Sequence, residues 1–292
     1  MSTDAREPTD MDPLARVARL DPVRAVAVIA AATGIEFEFD GHTSEGEVGG
    51  AYVRWPDRRR SVLTMGVGHV APLLDRARTA GVPAPRYELV IPDGDVTYLV
   101  QTLLPGSPPR TVDGALVDQM IAVNGRLAGL LADRPDLTSP PLYLGTSGPG
   151  FCLHEPLARY DRRTATVLAW VRDVGADVDV AAGDDLMHLD FHPGNVLTDG
   201  ATITGVVDWD GASRGDGRLD LVTLRFDLAL RAPELVRRVD DVIAERLPDV
   251  LLRAYWAHMS LRLVDWSIRH RTEADVDFWL AQAEHGRRRF GG

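Results

Sequence analysis

The chain has 292 residues, 45% of them hydrophobic and 26% charged, and a formal net charge of −11 at pH 7. That length allows one large or two modest cores. The acidity argues against nucleic-acid and anionic-membrane partners and permits a cationic ligand. Cys152 is the only cysteine, which excludes an intrachain disulfide and a cysteine-based zinc site. All the basic charge is arginine, with no lysine anywhere. The first residues lack the basic-then-apolar pattern of a signal peptide, and the longest apolar run, 25–32, is far short of a bilayer span. A cytoplasmic protein is expected.

Residues 1–13 are polar and acidic and read as a mobile tail. Leu14, Val17, Ala18 and Leu20 recur at helical spacing, and Asp21-Pro22 opens a second helix that Gly34 closes. From Ile35 the period shortens to two. Phe37 and Phe39 alternate with acids, 40–50 is a Gly-rich loop, 51–55 is a strand, and Pro56-Asp57 turns into a strand over 61–65. A strand, Gly-rich loop, strand layout offers backbone N–H groups to phosphates, here around Ser44, Gly46 and Gly49. A helix is expected over 70–80, followed by strands over 87–91 and 96–104 around the turn Asp93-Gly94.

After Pro108-Pro109 the pattern turns helical: Leu116, Met120, Val123, Leu127 and Leu130 form an apolar stripe. Residues 132–152, rich in Pro, Gly and Ser, are expected to form a loop over a cleft, and 154–174 a helix. Past the central stretch, helices are expected over 219–230, 233–246, 250–271 and 273–289.

The chemistry concentrates in 187–210. His188, Asp190 and Asn195 stand in the spacing His-x-Asp-x-x-x-x-Asn, and two short strands, 195–198 and 202–207, flank the turn Asp199-Gly200. Such a ribbon brings its ends together, so Asn195 and Asp208 can face one site. A hard cation such as Mg²⁺ takes one or two protein oxygens and completes its shell from phosphates and water. Asn195 and Asp208 suit that role and leave Asp190 to accept the proton of an attacking hydroxyl. Asn124 and Asn195 are the only asparagines, and one of them falls on the required position.

The run His188-Leu-Asp190-Phe-His192-Pro-Gly-Asn195, followed by Val207-Asp208-Trp209-Asp210 and Gly215-Asp216-Gly-Arg-Leu-Asp220-Leu221, resembles the aminoglycoside phosphotransferase family. That family is a branch of the protein-kinase-like fold that also includes choline, homoserine and fructosamine kinases. The resemblance implies an α+β, two-lobed protein-kinase-like fold. Its small N-lobe, 1–104, would hold the first helices and an antiparallel nucleotide-covering sheet, and its C-lobe, 105–292, would be mostly helical.

The same resemblance makes Asp190 the catalytic acid–base residue, His188 a buttress of its loop, Asn195 and Asp208 the Mg²⁺ ligands, and Asp216 and Asp220 structural. Gln101, Thr102 and Leu104 would meet the base of ATP or GTP at the crossing between lobes. Asp190, Asp210, Trp256, Asp265 and Trp266 would line the acceptor site. One departure stands out. The strand lysine that pairs with the phosphates falls on Thr64 or Met65, the following helix offers Asp75 and Arg76 where a glutamate belongs, and an arginine from 58–60 or Arg54 is left to take the lysine's place.

The implied function is transfer of a nucleotide γ-phosphoryl group to a hydroxyl of an antibiotic: aminoglycoside, nucleoside or peptide. The alternatives are a kinase for a sugar, amino alcohol or nucleoside metabolite, and a non-catalytic pseudokinase that binds a small molecule. In each case the partner is a hydroxylated small molecule, with no nucleic acid or membrane, and the protein is a monomer or homodimer.

Overall fold

The computed structural model describes residues 19–43 and 49–291. The helix expected around Leu14 to Ala18, and with it Ser44 and Gly46, lie outside the described residues. Helix α1 (Pro22–Thr33) starts where the Asp21 carboxylate accepts hydrogen bonds from Val23 N and Arg24 N, and it ends at Gly34, whose φ of 73° suits a residue without a Cβ. Its buried Ala25 and Ile29 lie on a five-stranded antiparallel sheet. The strands are β1 (Glu38–His42), β2 (Ala51–Arg54), β3 (Arg60–Met65), β4 (Tyr87–Asp93) and β5 (Val96–Thr102), in the order β1-β2-β3-β5-β4.

Alternation along these strands gives the sheet two different faces. Ala51, Val53, Leu63, Tyr98 and Val100 are buried with α1, and Met65 packs on the same cluster. The intervening Tyr52, Val62, Thr64 and Gln101 occupy the opposite face, where Tyr52 pairs with Val62 and Val62 with Gln101. Helix α2 (Ala71–Thr79), entered through one tighter 3-10 turn, buries Leu73, Leu74 and Ala77 in the second, larger core.

Beyond β5 the chain crosses to a helical body through residues 103–113. Gly106 has a φ of 92°, and a Cβ there would lie 2.5 Å from Thr198 O, so only glycine fits the crossing. Ser107 and Thr198 exchange backbone hydrogen bonds at 3.1 and 2.8 Å and tie the crossing to the ribbon of β7 (Val196–Thr198) and β8 (Ile203–Val206). A second ribbon pairs β6 (Asp185–Met187) with β9 (Ser213–Gly215).

The helical body comprises α3 (Gly114–Arg126), α4 (His154–Tyr160), α5 (Arg162–Gly175), α6 (Arg218–Arg231), α7 (Val236–Arg246), α8 (Asp249–His270) and α9 (Glu273–Arg289). The single helix expected over 154–174 is two. Asp161, at φ −158°, caps α5 by accepting from Thr164 N at 2.7 Å while its own N–H donates to Thr164 Oγ1, and this capping box outweighs the continuous apolar spacing. The Pro- and Gly-rich stretch before α4 is pinned to the helices, with Leu142 and Leu144 buried in the core. Among the described residues no helix is long and apolar enough to cross a membrane.

One of those pins is a buried histidine. His258 on α8 places Nδ1 2.9 Å from Leu142 O, so Nδ1 carries the proton and donates, and burial pushes the imidazole down to about 4. Its folded value lies below its unfolded one, so its contribution to stability is complete above about pH 6.5 and is lost as the pH falls towards 4. His258→Asn keeps a donor for Leu142 O but cannot take up a proton. Between pH 7 and 5 it is expected to lose about 2 kcal/mol less stability than the parent in paired urea melts.

Candidate active site

The site is assembled around one buried carboxylate. Asp220, near the start of α6 and 0% exposed, accepts hydrogen bonds from His188 N and Leu189 N, both at 2.8 Å. These two bonds hold Leu189 at a φ of 65°, a conformation that costs a non-glycine residue about 1 kcal/mol or more. His188 is also fully buried; its Nε2–H donates to Val207 O at 2.9 Å and its Nδ1 accepts from Asp190 N at 3.3 Å. Burial pushes it down to about 4, so it is a neutral strut between the loop and β8.

Asp190 lies on the loop this clamp creates, and both its oxygens are engaged. Oδ2 accepts from Asn195 Nδ2 at 3.0 Å and lies 3.4 Å from His192 Nε2; Oδ1 accepts from Arg262 Nη2 at 2.8 Å. Gly194 N donates to His192 Nδ1, which leaves the proton on Nε2, facing Asp190. Burial alone would raise the Asp190 carboxyl, but the His192 hydrogen bond and the charges of Arg262 and His192 overrule it and hold the group well below the usual carboxylate range. It is ionised at any working pH. Such a group orients a hydroxyl well and removes its proton only as the new bond forms.

The ribbon β7–β8 delivers the second half of the site. Asn195 also donates from Nδ2 to Asp190 O at 2.9 Å, which fixes the amide and leaves Oδ1 as its oxygen for a cation. Asp208 follows β8 at a φ of 63° and carries no hydrogen bond or ion pair among the described residues. Its tip is exposed but protein crowds around it; that partial burial, then the charges of Asp190 and Asp210, push it up to about 6. An unpartnered, crowded carboxylate beside an amide oxygen is the donor set a magnesium ion accepts when phosphates and water supply the rest. No cluster of three or more His, Cys, Asp or Glu side chains suited to a metal occurs among the described residues, which such a partial shell does not require.

Asp210 turns towards the sheet. It accepts from Val67 N at 3.3 Å, and a Cβ on Gly66 would lie 2.5 Å from its Oδ1, so it seats against the segment that follows β3. Tyr87 approaches from β4; burial, then the charges of Asp210 and Asp208, push its phenol up.

Of the two residues expected at the lysine's place, only one faces the cleft. Met65 faces the α1 core, while Thr64 lies on the cleft face and meets Gln101 Nε2 at 3.4 Å, so a neutral hydroxyl stands where the cation belongs. The arginines offered as substitutes are committed elsewhere. Arg54 and Arg60 pair with Asp40, Arg60 also covers the Tyr52 ring, and Arg59 pairs with Glu88. Arg60 also begins β3, about 16 Å along the strand from Met65. On α2, Asp75 pairs with Arg78 and Arg76 with Asp133.

The other expected site residues divide. Gly49 has a φ of 78° next to Gly50, whose carbonyl accepts from Thr43 N. Gln101 is on the cleft face, whereas the Thr102 hydroxyl accepts from Arg86 N within the sheet. Leu104 lines a cavity with Tyr52, Arg60, Leu103, Pro105 and Gly106. Asp216, 2% exposed, is held by Arg218 and by Tyr255 OH at 2.6 Å and braces α6 against α8.

Trp256 and Asp265 are corrections. Trp256 is 1% exposed inside the helical core, where it packs on Phe226 and Phe290 and donates to Gln282 O. Asp265 is 0% exposed and spends its oxygens on Arg269 and Leu153 N, so neither side chain is presented to a ligand. Trp266 is half-buried, its ring centroid 4.1 Å from that of His270 at an interplanar angle of 37°, one turn beyond Arg262 on the same face of α8. Arg262 itself escaped the sequence. The charges of α8, Asp249, Arg253, Arg262, Asp265 and Arg269, carry no signal in sequence that singles it out.

A small antiparallel sheet joined by one crossing to a helical body, with a carboxylate, an amide and a second carboxylate brought together by a loop and a ribbon, defines a two-lobed protein-kinase-like phosphotransferase. The chain matches the model of the phosphotransferase enzyme family (APH) over residues 52–255, more than half its length, and belongs to that family. It is a small-molecule kinase acting on hydroxyl groups. No curated protein matches it.

Among solved structures, a thermostable variant of aminoglycoside phosphotransferase APH(4)-Ia in ternary complex with ADP and hygromycin B shares 19% identity, with a TM-score of 0.63 over 91% of this chain and 99% of that one. An aminoglycoside phosphotransferase from Alicyclobacillus acidocaldarius shares 18% identity, with a TM-score of 0.56 over 94% and 95%. The macrolide 2′-phosphotransferase MphH of Brachybacterium faecium shares 19%, with a TM-score of 0.50 over 89% and 97%. At these identities the likeness is one of fold.

Proposed function

We propose that the protein transfers the γ-phosphoryl group of a magnesium-bound nucleotide, ATP or GTP, to a hydroxyl of an antibiotic, in the cytoplasm, as a monomer or homodimer. The observation that carries this reading is the convergence of Asp190, Asn195 and Asp208: Asn195 Nδ2 lies 3.0 Å from Asp190 Oδ2, and the open Asp208 carboxylate is close enough that the charge of Asp190 raises its pKa. Asp190 orients the acceptor hydroxyl and takes its proton. Asn195 Oδ1 and Asp208 would hold Mg²⁺, which when bound neutralises charge on the phosphates. His188 and Asp220 keep the loop in place, and because the transition state is loose, this positioning supplies much of the acceleration.

The base would lie between the sheet face of Tyr52 and Val62 and the crossing at Gln101 to Leu104, with the lobes divided at residues 104 and 105. Trp266 and Asp210 are the expected acceptor-side residues that remain accessible. An antibiotic acceptor is supported by the names of the structural relatives, which act on aminoglycosides and a macrolide. Expression in a sensitive bacterial host should raise the inhibitory concentration of one hydroxylated antibiotic, and Asp190→Asn should remove that protection. Transfer to a sugar or amino alcohol in vitro, with no protection against any antibiotic, would move the assignment to a metabolite kinase.

A further inference from the structure

We propose that Arg262, on α8, is the cation that neutralises the transferring phosphoryl group, supplied from the helical body in place of the lysine absent from β3. This rests on the phosphotransferase reading of the cleft. Thr64 brings no charge to the phosphates, and Arg54, Arg59 and Arg60 of the sheet are held in ion pairs with Asp40 and Glu88. Arg262 is the guanidinium bonded directly to the loop that carries Asp190.

Its geometry fits the task. Nη1 donates to Leu189 O at 2.6 Å and Nη2 to Asp190 Oδ1 at 2.8 Å, so the plane of the fork is fixed from two sides. Of the five N–H groups of a guanidinium, three remain without a partner among the described residues. The side chain is 27% exposed and so is not sealed in the core. Its contact with Asp190 Oδ1 sets it beside the residue that would hold the acceptor, and its charge also reaches Asp208.

In the transfer, the bond from the acceptor oxygen to the γ-phosphorus forms as the bond to the β-phosphate bridging oxygen breaks. The nucleoside diphosphate leaves with that electron pair, and the hydroxyl proton passes to Asp190. Negative charge is spread over the three equatorial oxygens at mid-transfer, and a planar fork with free donors beside the acceptor oxygen meets that distribution better than a point charge would. Asp190 and the phosphoryl group would share the same guanidinium.

The test needs no knowledge of the acceptor. Affinities are measured for Mg-ADP and for Mg-ADP with aluminium fluoride, a mimic of the phosphoryl group in flight, in the parent, Arg262→Met and Arg262→Lys, with melting temperatures alongside. The parent is expected to bind the mimic on the order of 10³-fold more tightly than Mg-ADP alone. Arg262→Met should lose most of that margin and keep its Mg-ADP affinity, Arg262→Lys should recover part of it, and added guanidinium ion should restore tighter binding of the mimic to Arg262→Met. A margin unchanged in Arg262→Met, a parent without a margin, or a parallel loss of Mg-ADP affinity would overturn the proposal. Failure of the parent to bind Mg-ADP at all would instead overturn the phosphotransferase reading on which it stands.

Discussion

Asp190→Asn should abolish phosphoryl transfer, lowering kcat by about 10³-fold or more, and leave the fold intact. The loss follows from geometry. Asp190 is the carboxylate that Asn195, His192 and Arg262 together aim into the cleft, and an amide in its place can neither accept the hydroxyl proton nor balance the Arg262 charge. The fold survives because the clamp on the loop is made elsewhere, by Asp220 on His188 N and Leu189 N. The ion pair to Arg262 is partly exposed, worth about 1 kcal/mol or less, so the melting temperature should fall by only a few degrees. Steady-state transfer and a thermal melt on the same sample check both halves. Full activity in Asp190→Asn would remove the residue from the chemistry.

Asp208→Asn is expected to give a protein that is inactive and, without metal, slightly more stable. Asp208 has no partner, sits at a φ of 63° that asparagine tolerates better than most residues, and carries a charge opposed by partial burial and by the charges of Asp190 and Asp210. Its folded pKa, about 6, is above the unfolded value, so its ionisation opposes folding above about pH 6 and that penalty fades as the pH falls towards 4. After allowance for solvent screening the relief in Asp208→Asn amounts to about 1 kcal/mol at pH 8 and nothing near pH 4. Mg-nucleotide should raise the melting temperature of the parent and not of the variant. A variant less stable than the parent at pH 8 would show that Asp208 has a structural partner in solution.

Much of this arrangement was legible in the chain because the chemistry is local. Asp190 and Asn195 lie five residues apart, and one ribbon carries Asp208 to them, so spacing and turn residues were enough to bring them together. The same holds for α1, with Asp21 and Gly34 at its ends, and for α9, whose start is written in the Thr272 and Asp275 capping box. Strand alternation was also legible, but not which face met α1, and that choice decides between Thr64 and Met65.

What was not legible depends on which side of a buried helix faces the site. Arg262 reaches Asp190 across 72 residues of sequence. Nothing in the spacing of α8 distinguishes it from Arg253, which makes surface pairs with Asp173 and Asp177. The family resemblance points Trp256 and Asp265 to the acceptor, and the structure does not. Packing against Phe226 and pairing with Arg269 show that an aromatic ring and a carboxylate on a C-terminal helix can serve the core alone.

Whether the cleft formed by Asp190, Asn195 and Asp208 moves a γ-phosphoryl group is read most directly from Mg²⁺-dependent loss of labelled γ-phosphate from ATP and from GTP over a panel of hydroxylated antibiotics and metabolites. The parent is expected to transfer to at least one acceptor in a Mg²⁺-dependent way, and Asp190→Asn to show no transfer above background. Mg-nucleotide bound without transfer to any acceptor, or transfer undiminished in Asp190→Asn, would contradict that expectation.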